Sequence, residues 1–161
     1  LNTVSGIQNM NKTLEGLGEV IAAGQFSQAI GLLDKKVLLQ GNDLSYKGEA
    51  VEGQFKAVDQ TSDVKVQIRN GIGQVVREIP VGNVDRGMHS YTWDGRNSDG
   101  TKLPAGNYTA SVSGSVLGEE VALNSLYFDQ IDSVDNNGSQ GFSISTAGGR
   151  TVSLADVVRV Y

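Results

Sequence analysis

The chain has 161 residues, enough for one ordinary domain or two small ones, and its 13 Lys and Arg against 18 Asp and Glu leave a formal charge of −5. That balance excludes a broad basic surface for nucleic acid, and no apolar run approaches the roughly 18 residues needed to cross a bilayer. Cysteine is absent and histidine occurs once, at His89, which excludes disulfides, thiolate metal sites, cysteine nucleophiles and histidine clusters.

The opening LNTVSGIQNMNK has neither the basic n-region nor the continuous apolar h-region of a signal peptide. It does not begin with Met, so the natural start is expected upstream. From Val4 to Leu33 the period is helical. Val4, Ile7, Met10, Leu14, Leu17 and Ile21 recur at spacings of three and four, as on an amphipathic helix or a coiled-coil seam. Gly6, Gly16, Gly18 and Gly24 each cost about 1 kcal/mol relative to Ala, so an isolated helix is marginal. A second short helix, Phe26 to Leu33, is expected after Gly24 with Ser27 as its cap. The stripe packs either on its own domain or against another subunit, which makes these six residues the candidate oligomer interface.

Val37 to Leu39 reads as a short strand and Gly41-Asn42-Asp43 as a turn. Val51, Phe55 and Val58 lead into Val64, Val66 and Ile68, a period-two run that ends at Asn70-Gly71. Val75 to Val81 and Met88 to Trp93 follow as strands around a loop at Asn83 to Gly87, and Tyr108 to Val116 closes a set of about six. That spacing suits a small sandwich. Between Trp93 and Tyr108, the formers Asp94-Gly95, Asp99-Gly100, Pro104 and Gly106 predict a β-hairpin, with Trp93 plugging the core.

The last third starts over. Val121 to Val134 is one or two strands, Asp135 to Gly138 a turn, and Phe142 with Ile144 alternate. Ala147-Gly148-Gly149 turns again, Thr151 to Leu154 is a strand, Leu154 to Val157 a single helical turn, and Val158 to Tyr161 a final strand. These short strands suggest an SH3-like or Tudor-like barrel that is one strand short. The orphan strand at Lys36 to Gln40 completes it. The fold class is therefore mainly β: a small barrel interrupted by an inserted fibronectin type III-like or Ig-like sandwich, after an N-terminal helical segment. The expected bounds are 1–34 for the helical segment, 35–50 with 119–161 for the barrel, and 51–118 for the sandwich.

Trp93-Asp94-Gly95, Asp99-Gly100, Leu103-Pro104-Ala105-Gly106 and Tyr108 together resemble the sandwich insert of the bacterial flagellar hook-capping family. Gln28 to Val37 is similar to that family's entry from helix to first strand, although Asp34-Lys35-Lys36 departs from its more usual Ile-Gly-Lys. Gly149 to Tyr161 resembles its closing Tudor strands, so the likeness runs from Gln28 to Tyr161. The resemblance implies a non-catalytic scaffold exported by the flagellar type III system. It implies a homo-oligomeric cap at the distal end of the growing hook, with the hook subunit as partner and no cofactor, nucleic acid or membrane insertion. It also implies an export and rod-binding region ahead of Leu1.

Chemical readings fare poorly. Asp94, Asn97 and Asp99 lie in a Gly-rich loop, but their spacing is not that of a calcium loop and no Glu follows within reach. Ser90 is adjacent to His89 and so faces the other side of a strand, which leaves no hydrolase triad. Gly71-Ile72-Gly73 lacks the following Gly-Lys-Ser/Thr of a phosphate loop. An aromatic cage for a methylated cation would draw on Tyr46, Tyr127, Phe128, Phe142 and Tyr161, for which core packing is the better account. The alternative function is a carbohydrate- or surface-binding sandwich of a secreted protein, which requires an exposed aromatic platform.

Overall fold

A computed structural model describes residues 2–161. It is mainly β, and it divides into two compact units. One runs through Lys35 and resumes over Gln130–Leu154; the other comprises Lys36–Asp129 and Ala155–Tyr161.

In the first unit a single helix, α1 (Asn2–Ile30), replaces the two helices expected from Gly24 and Ser27. Gly24 withdraws only about 1 kcal/mol of propensity, too little to stop a helix whose flanks are good formers. The helix unwinds after Ile30, and Asp34 takes a positive φ of 61° while its N–H donates to the carbonyl of Ile131. Only the last turns of α1 are packed: Ala29 is buried and the Phe26 ring lies 5.9 Å from Phe142. The sheet of this unit is the distal part of a long strand, β8 (Glu119–Asn136), paired through Ile131–Asn136 with β9 (Phe142–Thr146), which pairs with β10 (Thr151–Val152). Ile131, Ile144 and Thr146 form its buried side.

The second unit holds a sandwich. Sheet one places β6 (Gly87–Trp93) beside β3 (Val51–Ala57), and β3 beside Asn124–Tyr127 of β8. Sheet two runs β2 (Asp43–Tyr46), β7 (Gly106–Val116), β4 (Thr61–Arg69) and β5 (Val75–Val84). The start of β8 also joins sheet two, pairing with the end of β7 before the strand passes to β3. Inward-facing residues alternate along β2, β3, β6, β7 and the Val64–Ile68 part of β4, and Val64, Val66 and Ile68 meet Tyr108, Ala110 and Val112 in one core. The strand β1 (Lys36–Gln40) pairs with β8 and, antiparallel, with β11 (Val157–Val160), which brings the early orphan strand to the end of the chain.

Two expectations are corrected here. Five strands, not six, lie between Val51 and Val116. β2 and the first part of β8, both from stretches assigned to the barrel, join them in the sandwich. The register of β2, Leu44 opposite Tyr108 and Tyr46 opposite Gly106, buries both apolar side chains, whose alternation with Asp43 and Ser45 is that of a half-buried strand. The second correction concerns Trp93 to Tyr108, which is not a β-hairpin. β6 pairs with β3 and β7 with β4, so the connection crosses from one sheet to the other.

Candidate functional site

Crossing between sheets is what brings Trp93 and Tyr108 into contact. Trp93 ends β6 and Tyr108 lies near the start of β7 in the other sheet, and their rings sit 4.8 Å apart in an edge-to-face arrangement, with Tyr46 5.1 Å from the indole. Trp93 is fully buried, and its Nε1–H donates to the Arg96 carbonyl at 3.0 Å. The Tyr108 hydroxyl donates to the Pro104 carbonyl at 2.8 Å, four residues upstream, the bond of a tyrosine corner. Inside the connection lies a miniature hairpin. Arg96 bridges Lys102, Asn97 and Thr101 close its tip, and the Leu103 N–H donates to the Gly95 carbonyl. Gly95 has a φ of +76° and a Cβ there would overlap the Tyr46 ring, so the motif Trp93-Asp94-Gly95 admits only glycine at its third place.

Two of the loop's polar side chains, Asp94 and Asn97, serve the backbone. Asp94 Oδ1 accepts from the Arg96 N–H at 3.0 Å, and Asn97 Oδ1 accepts from the N–H groups of Asp99 and Thr101. Their oxygens close turns rather than converge on a cation. Trp93, Asp94, Gly95, Asp99, Gly100, Leu103, Pro104, Gly106 and Tyr108 thus all lie at the crossing from β6 to β7, at one corner of the sandwich.

His89 stacks on Phe55 at 5.4 Å and its Nε2–H donates to the Asp85 carbonyl, while Ser90 points to the other face. The rings weighed for a cage are divided: Tyr46 is in the sandwich core, Phe142 packs on Phe26, and Phe128 meets Tyr161 at 5.6 Å. The ammonium over that pair is the chain's own Lys36, 4.3 Å from the Phe128 centroid and 5.7 Å from that of Tyr161. Tyr46, Tyr91, Trp93 and Tyr108 all point into the sandwich core, so none of these four offers the aromatic platform required for a glycan-binding sandwich.

A different surface is open. Val4, Ile7, Met10, Leu14, Leu17 and Ile21 are each between 52% and 63% exposed, and Val20 joins them. At 1.5 Å per residue they mark out roughly 25 Å of helix whose apolar side chains stay open among the described residues. Sequence reasoning passed over Leu117, which is fully exposed at the β7–β8 turn. It holds a φ of 51°, followed by 85° at Gly118, the backbone of a two-residue hairpin with both central φ positive. Leu-Gly carries none of the Asn-Gly signal that announces such a turn.

A family model described as the FlgD Ig-like domain matches residues 41–117, a span that begins just ahead of β2 and ends at Leu117. The basal-body rod modification protein FlgD of Salmonella typhimurium is 30% identical over 168 aligned residues, covering 99% of this chain and 72% of that protein. The chain belongs to the FlgD family. The Escherichia coli FlgD is also 30% identical, with the same coverage of each chain. Among solved structures, FlgD from Xanthomonas campestris, described in terms of the hook capping essential for flagellar assembly, has a TM-score of 0.73 at 25% identity. The likeness covers 85% of this chain and 99% of that one. FlgD from P. aeruginosa shares the fold with a TM-score of 0.73, over 81% of this chain and 98% of its own.

Proposed function

We infer that this FlgD-family chain is a structural scaffold of flagellar hook assembly, a cap at the growing hook tip that directs the placement of hook subunits. The observation that carries it is the 30% identity to basal-body rod modification protein FlgD across 99% of the chain. The work is assembly rather than catalysis, which accords with a His89 ring and an Asp94 carboxylate engaged in backbone hydrogen bonds. The partners are the hook subunit and further copies of the chain itself. Export follows the flagellar type III route, for which a cysteine-free chain that travels unfolded is well suited. No helix among the described residues is long and apolar enough to cross a membrane.

The domain division that fits this role keeps a helical segment at 1–34, a Tudor-like barrel from 35–50 and 119–161, and the sandwich over 51–118, with Asp43–Tyr46 moved to the sandwich by its pairing to β7. Rigid β-domains present loops to hook subunits while the Val4 to Ile21 stripe is buried between cap subunits. A glycine-bearing helix is marginal alone, and shared apolar burial at about 25 cal/mol per Å² offsets the entropy of ordering it. A strain deleted for its hook cap tests the role directly. Restored hooks on expression of the full-length protein support it, and hookless cells that accumulate the protein normally would overturn it.

A further inference from the structure

The pairing of β1 with β11 sets Val37 opposite Val160, Leu38 opposite Arg159 and Leu39 opposite Val157. Val158 has no residue opposite it. It is the extra residue of a β-bulge, a device that bends a strand and re-aims its side chains. In a regular strand Val158 and Arg159 would face opposite sides. Here both line one groove, in the unit that carries the sandwich.

The other wall of the groove is the β3–β6 part of the same sheet, which β8 joins to β1, and there the register sets Lys56 of β3 directly across from Met88 of β6. Leu38 and Leu126 are buried at its floor, and Val158 and Met88, 52% and 41% exposed, form its lips. Its volume is about 400 Å³, within the range of sites that take up a ligand or several side chains. The charged residues lining it are both cations, Lys56 and Arg159. Neither has a side-chain hydrogen bond or ion pair among the described residues. In a chain of net charge −5, two unpaired cations flanking an apolar floor form a locally positive slot on an acidic molecule.

We propose that this groove docks an extended peptide segment of a partner protein in which an apolar side chain is flanked by carboxylates. The apolar side chain rests on Leu38 and Leu126 between Met88 and Val158, and the carboxylates meet Lys56 and Arg159. Charge complementarity selects the acidic partner and speeds encounter, while the apolar floor supplies the affinity. A neutral apolar segment leaves both cations unmatched, and a basic one is repelled. None of this depends on the assembly role, so the groove and the cap stand or fall separately.

Backbone amide chemical shifts of the ¹⁵N-labelled chain read the groove against two probes, acetyl-Glu-Leu-Asp-Leu-Glu-amide and its counterpart with Lys at the three acidic places. The acidic probe is expected to move the amides of Lys56, Met88, Val158 and Arg159 at concentrations up to roughly 10 mM, the range of weak peptide contacts. Affinity falls with added salt, and Lys56→Glu and Arg159→Glu each weaken it roughly three- to tenfold. Met88→Asp, on a different strand, weakens it too, and unchanged Trp93 emission reports an intact sandwich in each variant. Equal binding of the lysine probe, shifts that map elsewhere, no shifts at all, or indifference to both charge reversals would each overturn the assignment.

Discussion

Gly95→Ala separates two penalties that usually arrive together. At Gly95 the backbone has a φ of +76°, and an added Cβ would overlap Cζ, Oη and Cε2 of the fully buried Tyr46. Gly100 has nearly the same backbone, φ +83°, with nothing within 4 Å of a Cβ. A non-glycine residue in the left-handed region loses about 1–2 kcal/mol, and overpacking a filled core adds roughly 1–3 kcal/mol. Gly100→Ala should therefore lose only the first sum, and Gly95→Ala about 2–5 kcal/mol. The sole tryptophan lies at the affected corner, so urea unfolding followed by Trp93 fluorescence reads the sandwich directly. In a Tyr46→Ala background the ring is gone, and Gly95→Ala should fall back to the Gly100 value, a coupling of at least about 1 kcal/mol. Equal losses at Gly95 and Gly100, or additivity with Tyr46→Ala, would refute the claim that ring contact makes this glycine obligatory.

Other consequences are open to measurement. The Tyr46 hydroxyl is buried with no hydrogen-bond partner, so Tyr46→Phe should leave stability unchanged or raise it by about 1 kcal/mol. Tyr108→Phe deletes the donor to the Pro104 carbonyl and should lower stability by about 1 kcal/mol, so the two hydroxyl deletions are expected to differ in sign in urea melts. Leu117→Asn should stabilise by several tenths of a kcal/mol, because Asn tolerates the positive φ that an exposed Leu holds only under strain. Burial pushes the Tyr91 hydroxyl above its ordinary value of 10.0, so above that pH the unfolded chain gives up a proton that the folded one keeps. Its contribution is complete below pH 10 and declines as pH rises beyond it, and Tyr91→Phe should flatten that alkaline arm. Finally, Ile7→Asp with Leu14→Asp should reduce oligomer size in sedimentation velocity; unchanged size would remove the helical stripe from the assembly surface.

Local pattern fixed much of this molecule. Residues two apart in a strand share a face whatever surrounds them, so Tyr91 with Trp93, and Tyr108 with Ala110 and Val112, were legible as core from spacing alone. The stripe from Val4 to Ile21 was legible for the same reason at a period of 3.6, and Asn70-Gly71 announced the β4–β5 turn. What only the tertiary structure decided was pairing. A turn-rich stretch between two strands looks the same whether it folds back on one sheet or crosses to the other. Here the choice fell to burial, because only the crossing sets Trp93 against Tyr108 and Tyr46 from opposite sides of one core. Likewise the bulge at Val158 exists only as a mismatch between β1 and β11, strands more than a hundred residues apart. Periodicity records which way a side chain points along its own strand; it holds no information about what arrives opposite, since that is set by distant residues competing for the same apolar contact.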